Sequence, residues 1–364
     1  MSMYDEIINN IKSITEMALD GNADAQNKLG ISYKNGLIGI QSNEEAFMWF
    51  KKAAEAGYAK AQTNLGICFY YGHGVKRDEK EAIKWFTKAA EHGHARAQSA
   101  LGTCYLHGNG LEQNYEKAVE WFTKAAEQSD AQALNNLGYC YECGRGVRQN
   151  YKKAVELYQK IAEQGNSIGQ FNLARCYEDG LGVAQNYKKA AEWYMKAAQQ
   201  DDAESQVCLG WLYQNGFGLP QNYKKAVELY SLASKHGNTR GQVNLGHCYE
   251  KGLGVEQNFE RAYQLYLQAA EGCNVKGMNN LGACFLNGNG VKRNENEAFK
   301  WFLKAAELGD SMAQYNIAFC FERGIGTEKS DDNAIFWLSR AAEQGDHDAE
   351  SAIKKILRKN SDSK

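Results

Sequence analysis

The sequence predicts an all-α protein, a right-handed α/α superhelical solenoid of nine 36-residue helix-turn-helix repeats with a half repeat at each end. Three observations lead to this prediction. A leucine-glycine pair recurs every 36 residues with no insertion, helix start and stop signals appear twice in every period, and the chain has 36 glycines but a single proline, Pro220. A fixed period of this length is typical of solenoids, in which each unit buries its apolar face only against its neighbours.

The leucine-glycine pair defines a common register for the repeats. We count the residue six places before the leucine as position 1, so that Ala95 is position 1 and Leu101 is position 7. Nine copies then cover residues 23–346. The pairs at positions 7 and 8 are Leu29-Gly30, Leu65-Gly66, Leu101-Gly102, Leu137-Gly138, Leu173-Ala174, Leu209-Gly210, Leu245-Gly246, Leu281-Gly282 and Ile317-Ala318.

The first helix of each repeat, helix A, is predicted from a single apolar stripe. Positions 1, 3, 4, 7, 8, 10 and 11 are mostly Ala, Ala, Gln, Leu, Gly, Cys and an aromatic residue, which is the spacing of one helical face. Glycine or alanine at position 8 leaves room for a second helix to approach closely. Position 14 is glycine in every copy, from Gly36 to Gly324, and is expected to end helix A in a left-handed conformation.

The second helix, helix B, is predicted from its start signal. Position 20 is Ser, Asp or Asn in every repeat, from Ser42 to Ser330, and each such residue can cap a helix N-terminus and contribute about 1 kcal/mol. Helix B then carries alanine at position 24, Trp or Leu at position 27, and Tyr, Phe or Leu at position 28. Glycine at position 35 usually ends the helix, and the exceptions are Ser129, Asp201 and Cys273.

The two ends of the chain resemble incomplete repeats. Residues 1–22 are expected to form an N-terminal capping helix, equivalent to the second half of a repeat. Its apolar residues at helical spacing are Ile8, Ile11, Ile14 and Ala18. Residues 347–364 are expected to form a C-terminal capping helix and tail, where Ile353 occupies the leucine position. Lys354 replaces the glycine, and its side chain would block the docking of another helix.

Composition and charge favour a protein partner over other classes. The formal net charge is −2 without a long run of either sign, so the chain lacks the basic surface that nucleic-acid binding requires. No segment approaches the run of about 18 apolar residues that spans a membrane. The N-terminus lacks the basic region of a signal peptide, so we expect a cytoplasmic protein, with secretion by a non-classical route left open. The oligomeric state is left open as well.

The cysteines are expected to be free thiols. Seven of the ten occupy position 10: Cys68, Cys104, Cys140, Cys176, Cys248, Cys284 and Cys320. Equivalent positions in neighbouring repeats lie about 10 Å apart, whereas a disulfide requires Cα atoms within about 7 Å. These cysteines are therefore predicted to be small buried apolar residues in a reducing compartment. Local pairings of Cys143, Cys208 or Cys273 are not excluded by this argument.

The repeated motif resembles the Sel1-like repeat. The pattern A-x-A-Q-x-x-L-G-x-x-Y-x-x-G-x-G-V, followed by N-Y-x-K-A-x-E-W-Y-x-K-A-A-E-x-G, is nearly complete in residues 95–130 and 167–202. The resemblance implies an α/α solenoid close to tetratricopeptide repeats, and a role as a scaffold or adaptor that binds a protein partner. A secreted effector that engages host proteins is the alternative that the family suggests. One departure is Ile38, which replaces the second turn glycine of the first repeat.

The sequence contains no convincing catalytic or metal-binding motif, and we expect neither an enzyme, a cofactor nor a metal site. The recurrent Gly-x-Gly joins two helices, whereas a dinucleotide-binding loop follows a strand. Cys140 and Cys143 have redox-motif spacing, but Cys140 belongs to the apolar stripe. His92 and His94 lack further ligands nearby in the sequence. Ser351 precedes a lysine at the spacing of penicillin-recognising enzymes, without their companion motifs. An enzyme with an unrecognised site remains the less favoured alternative.

Side chains opposite the apolar stripe of helix A suggest a binding groove. By similarity to tetratricopeptide repeats, helix A lines the concave face, and positions 5 and 9 supply apolar and aromatic residues there. Such residues are the usual anchors of protein interfaces. The first hypothesis is a patch that binds a partner segment, formed by Tyr139, Phe171, Arg175, Val207, Trp211, Val243 and His247. In the alternative, tight curvature packs these residues against adjacent A helices.

Asparagine at position 6 suggests a second way to bind a peptide. An asparagine side chain offers donors and an acceptor together, which suits an extended backbone. The second hypothesis is a carboxylate clamp in which Arg240 and Lys276 act one turn before Asn244 and Asn280. Further candidate asparagines at this position are Asn136 and Asn172. In the alternative, the asparagines form hydrogen bonds within the fold.

Overall fold

The computed structural model describes residues 12–39 and 41–362, and it contains only helices in this part of the chain. Helix α1 covers residues 12–19. Ile8 and Ile11, which were expected to lie in the N-terminal capping helix, are outside the described residues. The last helix, α20, spans His347–Asp362 and buries Ala349 and Ile356.

Each of the nine repeats contributes one A helix and one B helix. The A helices are α2 Ala23–Lys34, α4 Ala59–Tyr71, α6 Ala95–His107, α8 Ala131–Cys143, α10 Ser167–Asp179, α12 Ala203–Asn215, α14 Thr239–Lys251, α16 Val275–Asn287 and α18 Ser311–Arg323. The B helices are α3 Asn43–Glu55, α5 Glu79–Glu91, α7 Tyr115–Glu127, α9 Tyr151–Glu163, α11 Tyr187–Ala198, α13 Tyr223–Lys235, α15 Phe259–Glu271, α17 Glu295–Glu307 and α19 Asp331–Glu343. The prediction of an all-α solenoid of 36-residue repeats is confirmed.

The chain divides into two compact units, Met1–Gln185 and Asn186–Lys364, and each is described by itself. Within each unit, a helix packs against the helix that follows it, so that A and B helices alternate along the stack. None of the described helices has the length and apolar character needed to cross a lipid bilayer.

The predicted capping signals act at every B helix. The side chain at position 20 accepts a hydrogen bond from the backbone three residues later, as when Asn114 accepts from Lys117 N at 2.8 Å. The same contact begins the first and last B helices, at Ser42 and Ser330. At the other end of helix A, Gly72 adopts the left-handed conformation, with a φ of 76°. The helix boundaries therefore follow from local side-chain chemistry.

Glycine at position 8 allows the two helices of a repeat to touch. A Cβ atom on Gly66 would lie 2.5 Å from Cε1 of Phe86, the buried position-28 residue of helix α5. In the ninth repeat the register places Ala318 opposite Leu338, a smaller side chain. The ninth repeat thus combines a larger residue at position 8 with a smaller one at position 28, whereas the fifth repeat has Ala174 and Tyr194 at these positions.

Glycine at position 16 brings each A–B turn onto the preceding repeat. A Cβ atom on Gly146 would overlap the backbone carbonyl of Tyr115, at the start of helix α7. Ile38 occupies this position in the first repeat, where it packs instead against a cluster formed by Ala18, Ala25 and Leu29. This contact explains the departure of the first repeat from the glycine pattern.

All ten cysteines are free thiols. The seven at position 10 are buried in the core, whereas Cys143 and Cys273 are exposed and Cys208 is partly exposed. Burial raises the pKa of the Cys104 thiol to about 12 and that of the Cys140 thiol to about 11. A thiol with a raised pKa stays protonated and is a poor nucleophile at neutral pH.

Candidate functional site

The residues proposed as partner-binding fall into both units. The first unit contains Asn136, Tyr139, Phe171, Asn172 and Arg175, and the second contains Val207, Trp211, Arg240, Val243, Asn244, His247, Lys276 and Asn280. The two groups are described separately.

Asparagines at position 6 form a ladder between neighbouring A helices. Nδ2 of Asn172 donates to Oδ1 of Asn135, a position-5 residue of the preceding repeat, at 2.7 Å. The same bond joins Asn64 to Asn27 and Asn316 to Asn279, at 2.8 Å in both cases. Asn136 donates instead to Oγ1 of Thr103, at 3.4 Å. In these repeats the amides are satisfied within the fold, which is the alternative considered for position 6.

The ladder is interrupted at Asn244 and Asn280. The position-5 residues that precede them are Val207 and Val243, which offer no acceptor. Both asparagines are partly exposed, and neither side chain forms a hydrogen bond to another described residue. Two neighbouring A helices, α14 and α16, therefore each present an amide that the fold does not use.

Val207 and Val243 do not lie on the surface expected from the helical period. Val207 is 1% exposed and Val243 is 9% exposed. Val243 packs in a cluster that includes Tyr266 and Met278, which shows that position 5 faces the neighbouring repeat. This corrects the expectation that the two valines line a groove, because adjacent A helices cover them.

Arg175 is committed to a mostly buried carboxylate. Its Nη2 atom donates to both carboxylate oxygens of Glu142, at 2.7 and 2.6 Å. The Tyr158 hydroxyl donates to the same carboxylate at 2.9 Å. Burial, followed by the negative charge of Glu142, raises the pKa of Tyr158 far above its ordinary value. Arg175 therefore neutralises an internal charge, which leaves it a poor candidate for a groove contact.

The Tyr158–Glu142 contact has counterparts in two other repeats that have tyrosine at position 28. Tyr266 donates to Glu250 at 2.8 Å, and Tyr230 donates to Gln214 at 3.0 Å. In repeats with phenylalanine at position 28, position 12 is Lys34, Tyr70, Leu106 or Leu286. The sequence contains this coupling between positions 12 and 28, but position 12 is not part of the apolar stripe from which helix A was predicted.

The remaining aromatic residues of the first group are only partly accessible. Tyr139 is half-buried, and the guanidinium of Arg145 lies 5.1 Å from its ring centroid. Phe171 is half-buried as well. These two side chains offer a smaller surface to a partner than the aromatic residues of the second unit.

The second unit also contains a partly exposed aromatic cluster. Trp211 and Phe217 are each 38% exposed, and their ring centroids are 5.1 Å apart. Tyr187 stacks on Phe217 with a centroid distance of 5.0 Å. We call Trp211, Asn244, His247, Lys276 and Asn280 the Trp211 surface.

The two cations of the expected clamp have different surroundings. Nη1 of Arg240 donates to Oε2 of Glu204 at 2.7 Å, and Asn238 donates to the other oxygen of this carboxylate at 2.6 Å. Lys276 is exposed and forms no ion pair among the described residues. Lys276 is thus the cation of the pair that is available to a ligand, and Arg240 is already neutralised.

The first unit has a cleft that the sequence did not reveal. Two adjoining pockets of about 290 and 310 Å³ lie along helices α2, α4 and α6, and both are lined by Lys34 and Arg96. Lys60 completes the second pocket. We call Lys34, Lys60 and Arg96 the basic cleft. The sequence contained one signal for this cleft. The first repeat has Lys34 at position 12 and Phe50 at position 28, whereas some other repeats have glutamate and tyrosine at these two positions.

Two of the motifs weighed for catalysis lie on helices α8 and α20. Cys143 is exposed, next to the buried Cys140 in the same helix. Ser351 and Lys354 are exposed on helix α20, and the serine hydroxyl donates to His347 O at 3.1 Å. Among the described residues, no three histidines, cysteines or carboxylates are grouped closely enough to hold a metal ion.

Comparison with known proteins identifies the repeat. The Sel1 repeat model matches nine consecutive segments: residues 23–58, 59–94, 95–130, 131–166, 167–202, 203–238, 239–272, 275–310 and 311–346. A protective antigen with the SLR fold from uropathogenic Escherichia coli is 33% identical over 95% of this chain and 82% of its own, with a TM-score of 0.60. A Sel1 repeat protein from Oxalobacter formigenes is 31% identical over 67% of this chain and 96% of its own, with a TM-score of 0.62. No curated protein matches the chain.

Proposed function

The chain belongs to the Sel1 repeat family, and we propose that it is a non-catalytic scaffold that binds an extended segment of a partner protein at the Trp211 surface. The Sel1 fold, like that of tetratricopeptide repeats, typically serves as a scaffold for protein–protein interaction. In this proposal residues 23–346 form the binding array, and residues 1–22 and 347–364 cover its ends. The observation that carries the proposal is the pair of unused amides at Asn244 and Asn280. The equivalent contact between Thr103 and Asn136 predicts that the exposed Trp211 lies next to Asn244.

The two asparagines have the chemistry to hold a peptide backbone. Each amide side chain donates through nitrogen and accepts through oxygen, as does each peptide group of an extended segment. Asn244 and Asn280 lie on successive A helices, which are about 8–10 Å apart when helices pack directly. An extended segment of about three residues covers this distance. One segment can therefore engage both amides.

Trp211 and Phe217 supply the apolar contact that such a segment needs. Amide hydrogen bonds fix the register of a peptide but contribute little net affinity, because water satisfies the same groups when the site is empty. Exposed tryptophan is the residue type most often found at the energetic centre of interfaces. An apolar side chain of the partner is therefore proposed to pack on Trp211.

His247 and Lys276 complete the surface. His247 occupies position 9, and in the third and fourth repeats a position-9 side chain lies next to the asparagine of the following repeat, at 3.4 Å for Thr103 and Asn136. The register thus places His247 next to Asn280. Lys276 is proposed to hold a carboxylate of the partner, whereas Arg240 is held by Glu204.

The non-catalytic part of the proposal is supported by the state of the nucleophiles. The position-10 cysteines are buried, and burial raises the pKa of each, for example to about 12 for Cys176 and Cys284. Ordinary catalytic cysteines have lowered pKa values and are partly exposed. The cytoplasmic location and the protein nature of the partner remain parts of this proposal.

The test is a peptide-display selection against the purified full-length chain. Peptides that are enriched on the wild type are measured again on Trp211→Ala and Asn280→Ala by fluorescence anisotropy. We expect Trp211→Ala to weaken binding at least tenfold, because it removes the apolar anchor. Asn280→Ala removes one backbone contact and should weaken binding about two- to tenfold.

The matched control is Asn316→Ala, in which a position-6 asparagine bonded to Asn279 is removed instead. This substitution is expected to lower stability and to leave peptide affinity unchanged. Selected peptides that bind the Trp211→Ala and Asn280→Ala chains as tightly as the wild type would refute the proposed site.

A further inference from the structure

The basic cleft concentrates positive charge in the first unit. The second of its two pockets is lined by Lys34, Lys60 and Arg96 together, and no aspartate or glutamate lines either pocket. None of the three cations forms an ion pair with a described residue. The two pockets share Lys34 and Arg96, so they adjoin at these two side chains.

Carboxylates near the cleft are engaged elsewhere. Asp24 pairs with Lys28 at 2.7 Å and accepts a hydrogen bond from the Tyr58 hydroxyl at 2.6 Å. Asp130 caps helix α8 by accepting from Ala133 N at 2.8 Å. Glu79 pairs with Arg77. These carboxylates are thus held by other groups, and Asp24 and Asp130 also act electrostatically on Lys60 and His94.

The charges of the cleft act on a neighbouring histidine. Burial, and then the positive charges of Arg96 and Lys60, lower the pKa of His94 below its ordinary value. His94 lies in the second pocket, with Nδ1 2.7 Å from Oγ1 of Thr63. This shift indicates that the two cations lie close enough to His94 to oppose a further positive charge.

Two substitutions relative to other repeats open the cleft. Phe50 at position 28 has no hydroxyl group, so the first repeat does not need a carboxylate at position 12 to accept a hydrogen bond, and Lys34 occupies that position. Ala100 lines the first pocket at position 6, where asparagine fills the space in six other repeats. Tyr70 and Tyr71 form an aromatic wall beside these residues.

We propose that the basic cleft binds an acidic protein segment in a polyproline-II conformation, with carboxylates three residues apart. This inference rests on the proposed scaffold function but concerns a different unit of the chain. Lys60 and Arg96 occupy position 2 of successive repeats, and packed helices are about 8–10 Å apart. A polyproline-II segment has three residues per turn with a rise of about 3.1 Å, so residues i and i+3 share a face about 9 Å apart.

A protein segment fits these features better than a nucleic acid does. Three cations match a few carboxylates, whereas nucleic acids are usually bound through many phosphate contacts on a larger basic surface. The chain as a whole carries a formal charge of −2, which disfavours a long polyanion. The aromatic wall of Tyr70 and Tyr71 also suits proline rings, as in other sites that bind proline-rich segments.

The test uses the purified full-length chain and a fluorescein-labelled, amidated peptide of the sequence Glu-Pro-Pro-Glu-Pro-Pro-Glu. Binding is measured by fluorescence anisotropy at about 0.05 and 0.15 M salt. Two matched peptides serve as controls: one has Gln in place of each Glu, and one has the same composition in the order Glu-Glu-Pro-Pro-Pro-Pro-Glu. A deoxythymidine heptanucleotide is the nucleic-acid probe.

We expect the first peptide to bind at least tenfold more tightly than either control peptide and than the oligonucleotide. Lys60→Gln and Arg96→Gln should each weaken its binding at least fivefold, since each removes one charge contact. Lys224→Gln, which changes an exposed lysine on helix α13 of the other unit, should leave its binding unchanged. Circular dichroism spectra of the variants establish that they are folded.

Four results would overturn the inference. These are no binding of the first peptide, equal binding of the glutamine peptide, equal binding of the rearranged peptide, or tighter binding of the oligonucleotide. Failure of the Trp211 surface in the display selection would leave these outcomes unaffected, because Lys60 and Arg96 lie in the other unit.

Discussion

Asn172 donates a 2.7 Å hydrogen bond to Asn135 on the preceding A helix. This contact shows that one repeat position can have two roles. Where position 5 of the preceding repeat is asparagine, the position-6 amide joins neighbouring repeats. Where that residue is valine, as at Val243, the amide of Asn280 is not used by the fold.

Replacing the two asparagines by alanine should separate these roles. Asn172→Ala removes a hydrogen bond and leaves the half-buried amide of Asn135 unpaired, so the free energy of unfolding should fall by about 1–2 kcal/mol. Asn280→Ala breaks no hydrogen bond within the fold and should change it by less than about 0.5 kcal/mol. Urea denaturation followed by circular dichroism measures both. Equal effects of the two substitutions would contradict the distinction between ladder and surface asparagines.

Two arginines that both pair with glutamate should differ in importance for stability. Arg175→Ala leaves the mostly buried carboxylate of Glu142 without a counter-charge, which should cost about 3 kcal/mol or more. Arg240→Ala removes an exposed pair with Glu204, which should cost less than about 1 kcal/mol. Thermal and urea unfolding of the two variants provide the comparison. A larger loss from Arg240→Ala would show that the Glu142 site tolerates an unpaired charge.

The close approach of Gly66 to Phe86 predicts a rescue. Gly66→Ala places a methyl group against the ring of Phe86 and should lower the free energy of unfolding by about 1–3 kcal/mol through overpacking. Adding Phe86→Leu should restore part of the loss, because the ninth repeat combines Ala318 with Leu338. A double-mutant cycle in urea measures the coupling between the two residues. Strictly additive losses would mean that the two positions do not share one packing contact.

The buried thiols predict a loss of stability at alkaline pH. Burial raises the pKa of Cys104 to about 12, from an ordinary thiol value of about 8.5. A group whose pKa is raised by folding stabilises the fold fully below its unfolded pKa, and this contribution is lost as the pH rises towards the folded pKa. Between about pH 9 and 12, each such thiol should therefore lower the free energy of unfolding by about 1.4 kcal/mol per pH unit.

Urea unfolding at pH 8, 9 and 10 tests this dependence. The free energy of unfolding of the Cys104→Ala chain should fall less steeply with pH than that of the wild type. The difference in slope is the contribution of one thiol. Position 10 does not require a thiol, since the sixth repeat has Leu212 at this position. An identical fall in both chains would mean that the thiols are not the groups that titrate.

Much of the fold follows from local features of the sequence. The period of 36 residues, the capping residues such as Asn114 and the turn glycines such as Gly72 determine where each helix begins and ends. The capping and turn signals act over at most four residues, and the period is a regular spacing in the sequence, so all of them are visible without a structure. The burial of the position-10 cysteines also follows, because they lie on the stripe that faces helix B.

The exposure of residues at positions 5 and 9 was predicted less well, because the period of a single helix does not include contacts with neighbouring repeats. The helical period identifies the residues that lie opposite helix B, and Val207 and Trp211 both satisfy it. Neighbouring A helices cover part of that face, so that Val207 is 1% exposed while Trp211 is 38% exposed. The difference depends on contacts between repeats, which the period of one helix does not contain.

The sequence by itself determined the repeat, its helices and its family, because regular spacing and capping are local properties of the chain. Only the tertiary structure decided which polar side chains are used by the fold and which remain available. Arg175 is held by Glu142, and Arg240 by Glu204, whereas Lys34, Lys60 and Lys276 have no such partner among the described residues. The reason is physical: a charge or an amide is satisfied by whatever lies opposite it, and that neighbour is about one repeat away in sequence.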